Sequence, residues 1–121
     1  MNENNYIKNR IKSFLFAFHG LGHLLRFEQN AQIHLTATVL VIISGLLLKI
    51  SKTEWCIILL SIGLVWLAET ANTAVEKIVD QIFPEVNEKA KIIKDISAAA
   101  VLICSFIALI NGLIIFVPKL F

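Results

Sequence analysis

Acidic and amide side chains recur at helical spacing in one stretch of the chain, from residue 69 to residue 80. If this stretch is a helix, each residue advances about 100° around the axis, and five polar side chains then share one face. Three of the five are carboxylates, and hard oxygen ligands of this kind suit Mg²⁺, which usually binds through one or two carboxylates plus substrate phosphates. The five residues, called the polar stripe below, are Glu69, Asn72, Thr73, Glu76 and Asp80.

The like charges of the polar stripe require a cation close by. Glu69 directly follows the uncharged run Trp55–Ala68, so we expect it near the lipid headgroups, where a carboxylate is costly. Lys94 and a bound Mg²⁺ are the two candidates, and they are compatible. Together with the carboxylates they are the parts of a phosphoryl-transfer site, in which metal and lysine neutralise phosphates and one carboxylate takes a proton from the nucleophile.

Several polar residues have simpler interpretations. The polar stripe itself could be a solvated extension of a membrane helix, and Glu28 could be a surface residue that bounds an apolar segment. His34 is expected to be a hydrogen-bonded packing residue, and Asn111 to bond to a neighbouring helix. No glycine-rich phosphate-binding motif occurs in the sequence, so any nucleotide site has to be built from helices.

Three uncharged runs define the elements that position these residues. Residues 29–48 and 96–118 are each long enough to cross a bilayer, whereas Trp55–Ala68 is short. The short turn before Trp55 forces the chain back through the membrane, so this middle helix has to continue past Ala68. With 57% hydrophobic and 17% charged residues, the 121-residue chain is too apolar for a soluble domain. An all-α integral membrane protein with three transmembrane helices is therefore predicted.

The first 27 residues differ from the apolar runs. Four lysine and arginine residues are set there among phenylalanine and leucine residues, which is typical of an amphipathic helix lying on the membrane surface. The predicted bounds are about 4–26 for this surface helix and about 29–50, 54–80 and 90–118 for the spans, in one domain of residues 1–121. The second span is expected to carry a cytoplasmic extension.

The positive charges predict the orientation. A cytoplasmic N-terminus places eight of the eleven lysine and arginine residues inside and three outside, as the positive-inside rule requires. The net charge of +2 gives no support for a nucleic-acid partner. Cys56 and Cys104 lie within apolar segments and are expected to form neither a disulfide nor a metal site.

The polar stripe and a second segment resemble the prokaryotic diacylglycerol kinase family of small integral-membrane lipid kinases. The matching segments are Glu69–Asp80 and Ala90–Leu102, the latter with a Lys-Asp pair followed by small residues. The resemblance implies a homotrimer in the bacterial cytoplasmic (inner) membrane, with active sites shared between subunits on the cytoplasmic side. It also implies that MgATP phosphorylates the primary hydroxyl of a lipid.

Roles for individual residues are implied by their positions in the resemblance. Glu69 resembles the catalytic base, and Glu28 with Glu76 resembles the pair that holds the metal. His19 stands where family members commonly have a cation. The residues that resemble those around the nucleotide are Asn72, Glu76, Asp80, Lys94 and Asp95, with Arg10 and Lys12 on the surface helix.

The acceptor lipid is left open between two alcohols. The segments Glu28–Leu35 and Gly112–Leu120 look more like family members that phosphorylate undecaprenol, whereas diacylglycerol is the usual substrate in the family name. Two other functions are also compatible with the residues: a small proton-coupled transporter that uses Glu69, and a membrane adaptor subunit that uses the polar stripe for docking.

Overall fold

The chain folds into four helices joined by short connections. A computed structural model describes residues 2–121, and within that range every regular element is an α-helix. The helices are α1 (Glu3–Phe27), α2 (Gln29–Leu47), α3 (Lys52–Ile82) and α4 (Glu88–Leu120). Three of them, α2, α3 and α4, are long and apolar enough to cross a membrane. The predicted all-α fold with three candidate membrane spans is thus confirmed.

Helices α1 and α2 meet at Glu28, whose extended backbone separates them. The side chain of Gln32 in the first turn of α2 donates hydrogen bonds to the carbonyls of Leu25 and Arg26, at 3.2 and 3.3 Å. These bonds satisfy carbonyls that the end of α1 would otherwise leave without partners. Leu24 and Ala31 are buried beside the joint, which therefore holds Glu28 in a defined place.

The turn between α2 and α3 is made by a left-handed residue and a capping box. Lys49 has a φ of 52°, which reverses the chain directly after α2. Ser51 then accepts a hydrogen bond from the backbone of Glu54, and the Glu54 side chain accepts one from the backbone of Ser51. Close by, Gly45 lies against the indole of Trp55, so that a Cβ at residue 45 would come within 2.7 Å of the ring.

Helices α3 and α4 form an antiparallel pair with polar contacts at three levels. Lys94 Nζ contacts Asp80 Oδ1 at one end, Asn111 Nδ2 donates to Ser61 Oγ in the middle, and Lys119 Nζ contacts Glu54 Oε1 at the other end. These contacts keep one register along the whole pair. The expected helix-to-helix bond of Asn111 is among them, at 3.0 Å.

The helices differ in length, so parts of α3 and α4 extend beyond α2. At 1.5 Å per residue, α2 is about 28 Å long, α3 about 46 Å and α4 about 50 Å. Helix α3 runs without interruption through Ala68 and Glu69. The buried apolar cluster of Ile50, Ile58 and Ile115 lies at the end where α2 turns into α3. The polar stripe lies toward the opposite end of α3.

Candidate active site

Glu69 is the most deeply buried charged residue in the described part of the chain. Its side chain is 2% exposed, although it projects from the middle of a candidate span. The Thr73 hydroxyl, one turn further along α3, donates to Oε1 at 3.5 Å. Oε2 has no hydrogen-bond partner, and His34 Nε2 of α2 lies 3.4 Å away, close enough for attraction without an aligned hydrogen bond. The carboxylate, which can accept up to about four hydrogen bonds, therefore retains the capacity to accept one from a substrate hydroxyl.

Asn72 and Glu76 continue the polar stripe beside Glu69. The Asn72 amide Nδ2 donates to Glu76 Oε1 at 3.3 Å, which leaves the amide oxygen as the free end of the side chain. That oxygen is buried and has no hydrogen-bond partner among residues 2–121. An amide oxygen without a partner beside a carboxylate is a donor set that suits a magnesium ion with its waters or a nucleotide phosphate.

A groove of about 350 Å³ lies between α2, α3 and α4. Every buried side-chain oxygen without a partner in the described chain belongs to a residue of its lining, namely Glu69, Asn72 or Ser105. Such groups are costly unless something bonds to them, so their concentration in one groove indicates a binding site. The lining residues are Asn30, Ile33, His34, Glu69, Asn72, Glu76, Ala98, Val101, Leu102 and Ser105.

The walls of this groove differ in chemistry. Helix α3 contributes only carboxylates and an amide, whereas α4 contributes Ala98, Val101 and Leu102 with Ser105 as its one hydroxyl. The groove can therefore place an apolar chain along α4 while a polar headgroup meets the polar stripe.

Glu28 is held beside α3 by an ion pair. Its Oε1 lies 3.3 Å from Lys77 Nζ, and Lys77 directly follows Glu76 in the sequence. Among residues 2–121 no three acidic, histidine or cysteine side chains gather into a metal site. Of the two residues predicted to hold the metal, Glu76 lines the groove, whereas Glu28 is paired with Lys77.

Lys94 contacts the polar stripe at its far end. Its Nζ lies 2.7 Å from Asp80 Oδ1, so the expected cation does offset a stripe carboxylate, whereas Glu69 instead faces His34. Asp95 turns to the outside of α4 and pairs with Lys91 at 2.7 Å. The structure thus brings Asp80 and Lys94 together and leaves Asp95 apart from the groove.

The two basic residues expected on α1 lie away from the groove of their own chain. Arg10 and Lys12 are exposed, and the Arg10 guanidinium lies 4.9 Å from the centre of the Tyr6 ring. Within residues 2–121 the lining of the groove includes no α1 residue.

His34 is the site residue whose place the sequence alone did not reveal. The sequence predicts a hydrogen-bonded packing residue here, and the structure places the His34 ring 3.4 Å from the carboxylate of Glu69 and edge-on to the ring of Trp66. The position of His34 inside a predicted span could have indicated this contact, because an ionisable side chain inside a membrane span usually has a polar partner.

Comparisons with known proteins identify the family of the chain. The family model described as prokaryotic diacylglycerol kinase matches residues 15–116. An undecaprenol kinase of Bacillus subtilis is 41% identical over 116 residues, covering 96% of this chain and 94% of that protein. A diacylglycerol kinase of Synechocystis sp. is 34% identical over 113 residues, covering 93% of this chain and 65% of that protein. The range matched by the family model includes Glu28, Lys94 and the whole polar stripe and begins after Lys12.

Proposed function

The chain belongs to the prokaryotic diacylglycerol kinase family, and we propose that it transfers the γ-phosphoryl group of ATP to the primary hydroxyl of a membrane lipid. The observation that carries this proposal is the buried Glu69 carboxylate in a groove with an apolar wall. A base in that position can reach the hydroxyl of a molecule that remains in the lipid. Membership of a family of lipid kinases favours this function over the transporter and adaptor alternatives.

Undecaprenol is the acceptor that we favour over diacylglycerol. The relative named undecaprenol kinase is 41% identical and aligns over 94% of its own length, whereas the relative named diacylglycerol kinase is 34% identical. Both molecules present a primary hydroxyl on an apolar body, so the groove chemistry is suited to either. Diacylglycerol is therefore the second candidate.

The lengths of the helices support a site at the membrane boundary. Helix α2, about 28 Å long, is close to the hydrocarbon thickness of about 30 Å, so its ends lie near the two boundaries. His34 is five residues into α2, which puts it and Glu69 about 7 Å inside the boundary. Glu76 and Asp80 lie about 10 and 16 Å further along α3, beyond the hydrocarbon. The alcohol thus stays in lipid while the triphosphate stays in water.

The orientation and assembly are part of the proposal. The distribution of positive charge supports a cytoplasmic N-terminus in the bacterial inner membrane, with α1 as an amphipathic surface helix and residues 1–121 as one domain. Arg10, Lys12 and Asp95 lie away from the groove of their own chain, which supports a homotrimer whose sites are completed by a neighbouring subunit.

The proposed mechanism gives each side chain a positional task. Glu69 accepts the proton of the lipid hydroxyl as that oxygen forms its bond to the γ-phosphorus, and the bond between this phosphorus and the β–γ bridging oxygen breaks to release ADP. Glu28 and Glu76 would hold Mg²⁺, which neutralises phosphate charge when bound. The residues proposed to orient the nucleotide are Asn72, Glu76, Asp80, Lys94 and Asp95, with Arg10 and Lys12.

Transfer of ³²P from labelled ATP tests the proposed function. Purified protein in mixed micelles receives undecaprenol, diacylglycerol or both, and the labelled lipids are separated. We expect label mainly in undecaprenyl phosphate, and we expect Glu69→Gln to lower transfer by about 10²- to 10⁴-fold, the usual contribution of a general base. Thr70→Ala is the matched control, because Thr70 is next to Glu69 in sequence and is exposed on another face of α3.

Three outcomes would contradict the proposal. Undiminished transfer by Glu69→Gln would remove the proposed base. Proton-coupled uptake in vesicles without ATP consumption would favour a transporter. Retained biological function in an assembled Glu69→Ala, Asn72→Ala, Glu76→Ala triple variant would favour an adaptor.

A further inference from the structure

The carboxylate of Glu69 meets one ionisable side chain of another helix. His34 Nε2 on α2 lies 3.4 Å from Oε2, the oxygen that has no hydrogen-bond partner within residues 2–121. The imidazole is 19% exposed and the carboxylate 2% exposed, and both residues line the groove. A carboxylate at this depth is costly without a partner, and in this chain an imidazole is placed to be that partner.

The place of His34 is fixed by its surroundings. The Thr38 hydroxyl donates to the backbone carbonyl of His34 at 2.7 Å and accepts a hydrogen bond from Trp66 Nε1 at 3.0 Å. The His34 ring lies edge-on to Trp66, with ring centres 6.3 Å apart. Trp66 is one turn before Glu69 on α3, so these contacts lock the two helices in register beside the carboxylate.

We infer that His34 is a positioning residue for Glu69, whose imidazole holds the carboxylate so that one oxygen is directed at the lipid hydroxyl. This inference rests on the proposed function. On its other side the carboxylate has only the long Thr73 contact of 3.5 Å. Without His34 the side chain of Glu69 would be free to rotate in the groove.

An imidazole suits this task better than a permanent cation. A lysine would clamp the carboxylate in an ion pair and oppose its attraction for a proton. A neutral imidazole can donate from one ring nitrogen without bringing a net charge. In the structure the Lys94 ammonium group pairs with Asp80, and the imidazole of His34 lies against Glu69.

The first test compares His34→Ala, His34→Gln and His34→Asn with the natural protein in the lipid phosphorylation assay. Because a misplaced catalytic group costs up to about 10²-fold, we expect His34→Ala to lower kcat by about 10- to 100-fold. We expect the KM for ATP to change less than about twofold, because nucleotide binding is untouched. His34→Gln should recover most of kcat, since its amide nitrogen reaches the place of Nε2, whereas the shorter His34→Asn should not.

The second test asks whether His34 acts through Glu69. In the Glu69→Gln background, His34→Ala should give no additional loss, because the group that it positions is already gone. Thr36→Val is the matched control, since Thr36 lies on the same helix as His34, is exposed, and donates its hydroxyl to the Gln32 carbonyl, away from Glu69. We expect its kcat to stay within about threefold of the natural protein, because it retains the base and its partner.

The outcomes separate this inference from the function on which it rests. No lipid phosphorylation by the natural protein would overturn the proposed function itself. An active natural protein with an unchanged kcat in His34→Ala would overturn the role of His34 alone. If His34→Ala causes the same loss in the natural protein and in the Glu69→Gln background, or if Thr36→Val causes a similar loss, His34 has a packing role instead. If His34→Ala fails to fold, equal activities of His34→Gln and His34→Asn overturn the inference.

Discussion

Among single side chains, Lys77 would compete with the metal ion that Glu28 is proposed to hold. Its Nζ lies 3.3 Å from Glu28 Oε1, and its side chain is 54% exposed. Exposed ion pairs contribute about 0.2–1 kcal/mol, so the pair is weak enough to yield to Mg²⁺. We predict that Lys77→Ala lowers the Mg²⁺ concentration for half-maximal activity by up to about fivefold, the equivalent of about 1 kcal/mol. A magnesium titration of lipid phosphorylation measures this.

Lys89→Ala is the control for Lys77→Ala. Lys89 is an exposed lysine near the start of α4, so its removal changes the net charge by the same amount without touching Glu28. The magnesium requirement should stay as in the natural protein. A higher requirement in Lys77→Ala would contradict competition and assign Lys77 a supporting role in metal binding.

The shared face of the polar stripe could be predicted from sequence because it depends on one helix only. Glu69, Asn72 and Glu76 line one groove, as the 100° advance per residue indicated. Contacts between helices could not be predicted in this way. The partners of His34 and Lys77 depend on how α2 and the α1–α2 joint lie against α3, and the periodicity of a single helix does not contain that register. The roles assigned to these residues are still predictions.

At the level of the helices, the close approach of α2 to the start of α3 depends on Gly45. A Cβ there would lie 2.7 and 2.9 Å from two carbons of the Trp55 ring and 3.2 Å from Ile50 Cδ1. Overpacking of this kind costs about 1–3 kcal/mol. We predict that Gly45→Ala is less stable than Gly20→Ala by about that amount, measured by unfolding in detergent.

Gly20→Ala serves as the reference because the same change is made in a helix with open space around it. A Cβ at Gly20 has no neighbour within 4 Å. The gain in helix propensity from glycine to alanine is common to both variants, so the difference between them reports the contact with Trp55. Equal stabilities would show that the indole moves aside at no cost.

The helical class and two of the three candidate spans followed from long uncharged runs, and the third followed from the short turn that returns the chain to the membrane. The ends of the helices depend instead on local backbone conformation and capping. Helix α2 stops at Leu47 because Lys49 takes a left-handed conformation, and α3 starts at Lys52 because Ser51 and Glu54 form a capping box. Hydropathy does not encode either feature.

For the chain as a whole, the orientation in the membrane is open to a direct test. In a variant without Cys56 and Cys104, single cysteines are placed by Glu85→Cys in the α3–α4 connection and by Lys52→Cys at the start of α3. The positive-inside rule predicts that an impermeant maleimide reaches Glu85→Cys only in inverted vesicles and Lys52→Cys only in intact spheroplasts. Mass spectrometry of the labelled protein measures both, and the reverse pattern would contradict the proposed orientation.

The proposed homotrimer and the proposed surface position of α1 depend on surroundings that one chain does not contain. Large apolar side chains such as Phe14, Leu102 and Phe106 are exposed on the isolated chain. Their exposure is compatible with lipid and with a neighbouring subunit alike, so composition could not distinguish the two. For this reason the assembly was predictable only from resemblance.

Because α2 is short, we expect the catalytic rate to depend on the thickness of the bilayer. Acyl chains longer than its 19 residues can match would force local thinning or draw the Glu28 end into hydrocarbon, whereas the longer α3 and α4 can adapt by tilting. The mismatch falls on the first turns of α2, which carry His34 and follow Glu28. Turnover would then follow the fatty-acid composition of the host membrane, so growth temperature and lipid remodelling would change the catalytic rate.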